Sequence, residues 1–202
     1  SNITSLHFAE DSEIEKIEPN NFKKDSTLKK IIVPPSVSVI ESQSFLNLNI
    51  ESIEFSTNSK LQTIEKYAFS QSKIKSIRIP SSVTLIGKSA FSQCRQLQEI
   101  EIPTDSKLQI IDIKAFYYSV IKSIRIPSSV TLIGEESFLR CFNLQEIEIP
   151  TDSKLQIIDK KAFYDSVIKS IRIPSSVTLI GEESFGPMYL FLSLSEVSQF
   201  WM

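Results

Sequence analysis

The residues best suited to chemistry in this chain are two cysteines, one histidine and a large set of carboxylates. Cys94 and Cys141 lie 47 residues apart, and thiols can act as nucleophiles, pair as a disulfide or hold a metal ion. Both occupy the same position of a repeat, two coils apart, which places them ~9.6 Å from each other. That exceeds the usual Cα limit of about 7 Å for a disulfide, so they read as small buried hydrophobes. His7 is the single histidine among 202 residues. An ordinary Ser-His-Asp or Cys-His arrangement would have to rest on that one residue at the edge of the array, and a multi-histidine metal centre is excluded. Pairs such as Glu101 and Glu148 could be imagined across a glycosidic bond. They are repeat-equivalent copies, however, and acid and base roles require two different environments. The TDSKL segments at 104–108 and 151–155 contain no glycine and read as Asx-type turns rather than phosphate loops. The sequence therefore predicts no catalytic, cofactor or metal site.

The elements that position these residues come from repetition. The phrase SIRIPSSVTLIG begins at Ser76, Ser123 and Ser170, and QEIEIPTDSKLQIID begins at Gln98 and returns at Gln145. Residues 76–122 and 123–169 differ at only nine of 47 positions, so the period is set by duplication. Each 47-residue unit is itself double. Its halves share L/I-x-x-I-x-I-P, a short apolar stretch, then A/S-F. The paired I-x-I positions run Leu6/Phe8, Ile31/Val33, Ile53/Phe55, Ile77/Ile79, Ile100/Ile102, Ile124/Ile126, Ile147/Ile149 and Ile171/Ile173. Phe22, Phe45, Phe69, Phe91, Phe116, Phe138, Phe163 and Phe185 close the eight halves.

I-x-I is a period-2 signal, so both apolar side chains point one way and the residue between them points the other. The following proline ends the strand, because it has no N–H to donate. A second short strand is expected near 83–86 or 108–111, with the A-F pair filling the interior at a turn. One coil of 22–25 residues cannot bury such a face alone, whereas stacked neighbours can. The prediction is a mainly β repeat solenoid over residues 1–185, eight coils of parallel strands, with 186–202 as a separate C-terminal segment.

The motifs LQEIEIP, SSVTLIG and KSAF closely resemble the BspA-like (Treponema-type) leucine-rich repeats, over essentially residues 3–185. The resemblance implies a right-handed leucine-rich-repeat superhelix with a parallel sheet on its concave face. It also implies non-enzymatic proteins of bacterial and protist surfaces that act in adhesion, placing this chain at the cell surface or outside the cell. Several coils depart from the family pattern in lacking the glycine before the A-F pair.

If the isoleucines point inward, the concave column reads His7, Ile32, Glu54, Arg78, Glu101, Arg125, Glu148 and Arg172, with signs alternating from Glu54 onward. The column two residues earlier contributes Glu99 and Glu146. Each Arg is then expected between two Glu neighbours on adjacent strands. Such a ladder fixes register and is equally a planar polar surface for a protein partner. A second candidate is the loop edge, where the two units diverge most: Lys88, Ser89, Arg95 and Gln96 become Glu135, Glu136, Phe142 and Asn143. Tyr117, Tyr118 and Tyr164 follow the A-F pair there, as lids over the core or as exposed binding anchors.

Net charge is −2 with 41% hydrophobic residues, which gives no electrostatic reason to expect nucleic acid or an anionic membrane. No apolar run approaches the ~20 residues of a membrane span. A protein or glycan ligand is the expected partner, and a structural spacer within a larger surface protein is the alternative. The first coil starts in register at Ile3, which points to further repeats upstream or to an open end. After Phe185 the register fails, and MYLFLSLSEVSQFWM reads as a cap laid on the last coil or as a dimerisation patch. Deletion of residues 187–202 is expected to cause aggregation on gel filtration. A soluble monomer with unchanged melting temperature would show that the segment is not a cap.

Overall fold

The structure is a computed structural model that describes residues 3–19, 21–22 and 27–186. Two strands recur in each coil: β1 (Ser5–His7) and β2 (Lys16–Ile17), β3 (Lys30–Val33) and β4 (Val39–Ile40), β5 (Ser52–Phe55) and β6 (Thr63–Ile64). The same pair continues as β7 (Ser76–Arg78) and β8 (Leu85–Ile86), β9 (Glu99–Glu101) and β10 (Ile110–Ile111), β11 (Ser123–Arg125) and β12 (Leu132–Ile133), and β13 (Glu146–Glu148) and β14 (Ile157–Ile158). The eighth coil retains only β15 (Leu179–Ile180). All pairings are parallel, and no helix occurs among the described residues. The architecture is the β-solenoid that the repeat predicts.

The even-numbered strands and β15 form one uninterrupted eight-stranded sheet. Its inward side chains, among them Ile40, Ile64, Ile86, Ile111, Ile133 and Ile158, are fully buried. The odd-numbered strands do not form the eight-stranded sheet expected of them. They divide into a five-stranded sheet, β1 to β9, and a separate pair, β11 and β13. Between β5 and β7 only Ser52 and Ser76 are in register, and the eighth coil contributes a single bridge, Ser170 to Glu146. Within the repeated part, full pairing spans the 23-residue steps, Ile77 to Ile100 and Ile124 to Ile147. Strands part across the 24-residue steps, whose SKL-containing turns (STNSKL, TDSKL) carry two more residues between strand and core than the PSSV turns do. The extra chain relaxes the ladder between those coils, so full pairing is confined to β1–β3–β5, β7–β9 and β11–β13.

A third row closes each coil at the A-F turn. Phe22, Phe45, Phe69, Phe91, Phe116, Phe138, Phe163 and Phe185 form one continuous stack, with ring centroids 4.9–5.6 Å apart and planes within 14° of parallel. The backbone follows the rings: Phe45 N–H donates to Ala68 O at 2.8 Å, Phe116 to Ser137 O at 2.7 Å and Phe138 to Ala162 O at 2.7 Å. To aim these N–H groups at the next coil, the residues two before and two after Phe45, Phe69, Phe91, Phe116, Phe138 and Phe163 take left-handed backbone, as Lys114 (φ 57°) and Tyr118 (φ 58°) do around Phe116. This conformation is costly for ordinary residues, and the repeated inter-coil bonds hold it in place. The glycine expected before the A-F pair is needed only where coils approach closely. A Cβ on Gly134 would lie 2.9 Å from both Asp112 C and Ile113 N. In the alternate coils Asp112 and Asp159 stand there and accept hydrogen bonds from Ile113 N–H and Lys160 N–H at 2.7 Å.

Phe138→Ala should remove one ring from the middle of the stack and cost about 3–5 kcal/mol, read as a lowered melting temperature by circular dichroism. A loss no larger than that of an exposed-site substitution would mean that the stack does not carry the fold.

Candidate functional site

The two thiols are placed where their chemistry is suppressed. Cys94 and Cys141 are fully buried and unpaired. Each thiol donates to a backbone carbonyl of the preceding coil, Phe69 O at 3.0 Å and Phe116 O at 3.1 Å, and each contacts a serine, Ser72 or Ser119. Burial pushes both thiols up to about 12, so neither is a thiolate at neutral pH. His7 is exposed in the first strand, against Ser5 Oγ at 2.8 Å.

The charged column on the odd-numbered strands is present, with one correction. Arg78 pairs with Glu101 and Arg125 with Glu148, both through Nη1 to Oε1. In each case the partner lies on the strand one coil ahead, in full register. No Arg is held between two Glu residues among the described residues, because the strands part on the other side. Glu54 is paired with Lys30 at 2.6 Å instead of with Arg78. Arg172 lies outside any strand, exposed and without an ion pair among the described residues. Glu99 and Glu146 face serines, Ser76 and Ser123 respectively. The parting of β9 from β11 leaves a groove of about 510 Å³ lined by Arg78, Glu101, Asp105 and Arg125. The strongest electrostatic perturbation lies beside the column, at Glu51. Lys29 at 2.7 Å and Lys75 at 2.5 Å hold its carboxyl down at about 2.

The loop edge has more texture. Phe142 is 49% exposed, and its ring meets Tyr118 edge-on at 5.5 Å. The Arg95 guanidinium lies over the same Tyr118 ring at 5.2 Å, in cation–π range. Arg95 and Phe142 are repeat-equivalent, and the tyrosine of the intervening coil joins them. Reading by columns gives Tyr118 no link to either residue, since nothing in its own coil marks it as shared. Gln96 and Asn143 are exposed beside them. Tyr117 and Tyr164 are half-buried and line a shallow groove of about 380 Å³ with Lys114, Glu136, Arg140 and Lys161. Lys161 lies 5.6 Å from the Tyr164 ring centre. Ion pairs Lys114–Glu136 at 3.1 Å and Arg140–Asp165 at 3.6 Å cross this groove from coil to coil. The edge thus offers aromatic rings, a guanidinium and ion pairs that run from coil to coil.

Because Arg125 is half-buried with one carboxylate partner, the exposed Glu148, Arg125→Glu should lower stability by about 1 kcal/mol at low salt. The loss should shrink as salt is added. An unchanged melting temperature at low salt would remove the charged column from the account of stability.

Three solved structures share the fold at low identity. A leucine-rich-repeat protein of Treponema pallidum (TpLRR) superposes with a TM-score of 0.56 at 18% identity, covering 90% of this chain and 74% of that one. A leucine-rich cell surface protein of Faecalibacterium prausnitzii A2-165 gives 0.53 at 20%, covering 92% and 67%. The pneumococcal vaccine antigen PcpA gives 0.51 at 18%, covering 89% and 68%. No curated protein sequence matches the chain. The profile of the BspA type leucine-rich repeat region matches residues 1–108 and 62–190, with six copies. With that coverage and the eight-coil register described above, the chain belongs to the BspA-type leucine-rich repeat family.

Proposed function

We propose that this chain is a non-enzymatic adhesion module, at a cell surface or outside the cell, that binds a protein ligand through its loop edge. The observation that carries the reading is the break in monotony at 135–143. Two 47-residue units that agree almost everywhere differ mainly there, and the difference places a half-exposed Phe142 where the other unit has Arg95. A repeat maintained only for its fold has no need of an exposed aromatic ring at one coil. Membership in the repeat family supports an interaction role. Cell-surface and antigen descriptions attach to two of the similar structures and agree with the location.

The near-identity of the later coils favours one other reading, a spacer whose length matters more than its contacts. Residues 186–202 are taken as the cover of the last coil, and a contact between copies is the other use of that segment. All of it but Gly186 lies outside the described residues. In support of a cover, Leu179 and Ile180 of β15 are 49% and 46% exposed, far more than their counterparts in the preceding coils.

The test is a solid-phase binding screen against extracellular-matrix proteins and glycans, repeated after exchanging residues 135–143 for the sequence of 88–96. Saturable protein binding, weakened about tenfold or more by the exchange, is the expected result. A folded monomer that binds nothing would favour the spacer.

A further inference from the structure

The loop edge continues toward the odd-numbered strands as two exposed lanes that run from coil to coil. The first consists of the residue four places after each closing phenylalanine: Asn49, Lys73, Arg95, Val120, Phe142 and Val167. It is graded along the chain. Lys73 and Arg95 are exposed cations, whereas Phe142 and Val167 are apolar and 49% and 47% exposed. The second lane, the residues directly after Ile50, Ile74, Leu97, Ile121, Leu144 and Ile168, holds Glu51, Lys75, Gln98, Lys122, Gln145 and Lys169. Its single carboxylate is Glu51, already engaged by Lys29 and Lys75. Among the described residues, Lys73, Arg95, Lys122 and Lys169 have no ion-pair partner. On a chain of net charge −2, this edge is a local cationic strip beside an apolar one.

From this charge pattern we infer that the edge docks an acidic peptide segment bearing large apolar side chains, with its carboxylates at Lys73 and Arg95 and its apolar groups at Phe142 and Val167. The inference rests on the protein-binding reading above and names the chemistry of the partner. Spacing supports it. Adjacent coils are about 5 Å apart, as the phenylalanine stack shows. Arg95 and Phe142, two coils apart, are thus bridged by about three residues of extended chain at ~3.3 Å each. Arg95 presents a planar fork suited to a carboxylate, and Tyr118 fixes its plane. An acidic glycan could use the cations but would leave Phe142 and Val167 without a partner. The lanes therefore favour peptide.

The experiment selects a phage-displayed random dodecapeptide library on the full chain and titrates the enriched peptide, fluorescein-labelled, by polarisation. Parent, Phe142→Ser and Lys73→Glu/Arg95→Glu chains are compared after their melting curves confirm folding. The expected peptides carry Asp or Glu about three to six residues from a large apolar residue. Each variant should weaken binding about tenfold or more, added salt should weaken it further, and the charge-reversed chain should prefer a Lys-substituted peptide. The proposal is overturned if no peptide is enriched, or if the enriched peptide binds all three chains alike. It is also overturned if a heparin oligosaccharide alone binds in a manner sensitive to Lys73→Glu/Arg95→Glu. Matrix-protein binding that is weakened by the 135–143 exchange but unaffected by these variants would leave the adhesion reading standing and remove this one.

Discussion

No coil of this chain can bury its own apolar face, and the structure depends on that constraint. A coil of 22–25 residues has two faces, and only the next coil covers either of them. The phenylalanine stack is where the coupling is tightest. Each ring is held between two others at about 5 Å, while the backbone beside it donates hydrogen bonds to the next turn. The left-handed residues around each ring, the buried serines and the alternation of Gly with Asp before the ring all serve that contact. The odd-numbered strands, by contrast, tolerate interruption. The gaps in their ladder show that the interior and the A-F turns, rather than the charged sheet, set the register of the coils.

The residues made most of the fold legible in advance. Ile-x-Ile, the following proline and the A-F pair recur with such regularity that both strand rows and the buried column could be read from spacing, while the family came from resemblance of the motifs. The burial of Cys94 and Cys141 followed from their shared position. Two things were not legible. The parting of β9 from β11 depends on how two additional turn residues displace the strand that follows, and the isoleucine register looks the same with or without that displacement. The left-handed turn also carries no residue signature, since Lys, Tyr, Gln, Glu, Arg and Asp all adopt it. The neighbouring coil imposes the conformation, so no single coil contains the signal.

The candidate site shows the same division. Columns predicted Arg78 and Arg125 beside glutamates, and the structure keeps one partner for each. Arg95 and Phe142 were found by comparing repeats, yet their connection through Tyr118 emerges only when the intervening coil is placed between them. A reading that compares equivalent positions registers what differs between units. It is blind to what an unchanged neighbour does with the difference. The cations of the two lanes escaped notice for a related reason: each is an ordinary surface lysine in its own coil, and their sum becomes apparent only along the axis.

The hydrogen bonds of the A-F row run in one sense, the N–H of every phenylalanine from Phe45 to Phe163 donating to the carbonyl of the coil ahead. The row is therefore polar, with acceptors facing the amino-terminal side and donors facing the carboxyl-terminal side at every level. A whole unit inserted at any level meets donors below and acceptors above, as its neighbours did, and leaves both ends of the array chemically unchanged. Length can thus change by duplication without redesign of either terminus. A unit turned end for end would confront like with like. The near-identical units of this chain are what such one-way growth leaves behind.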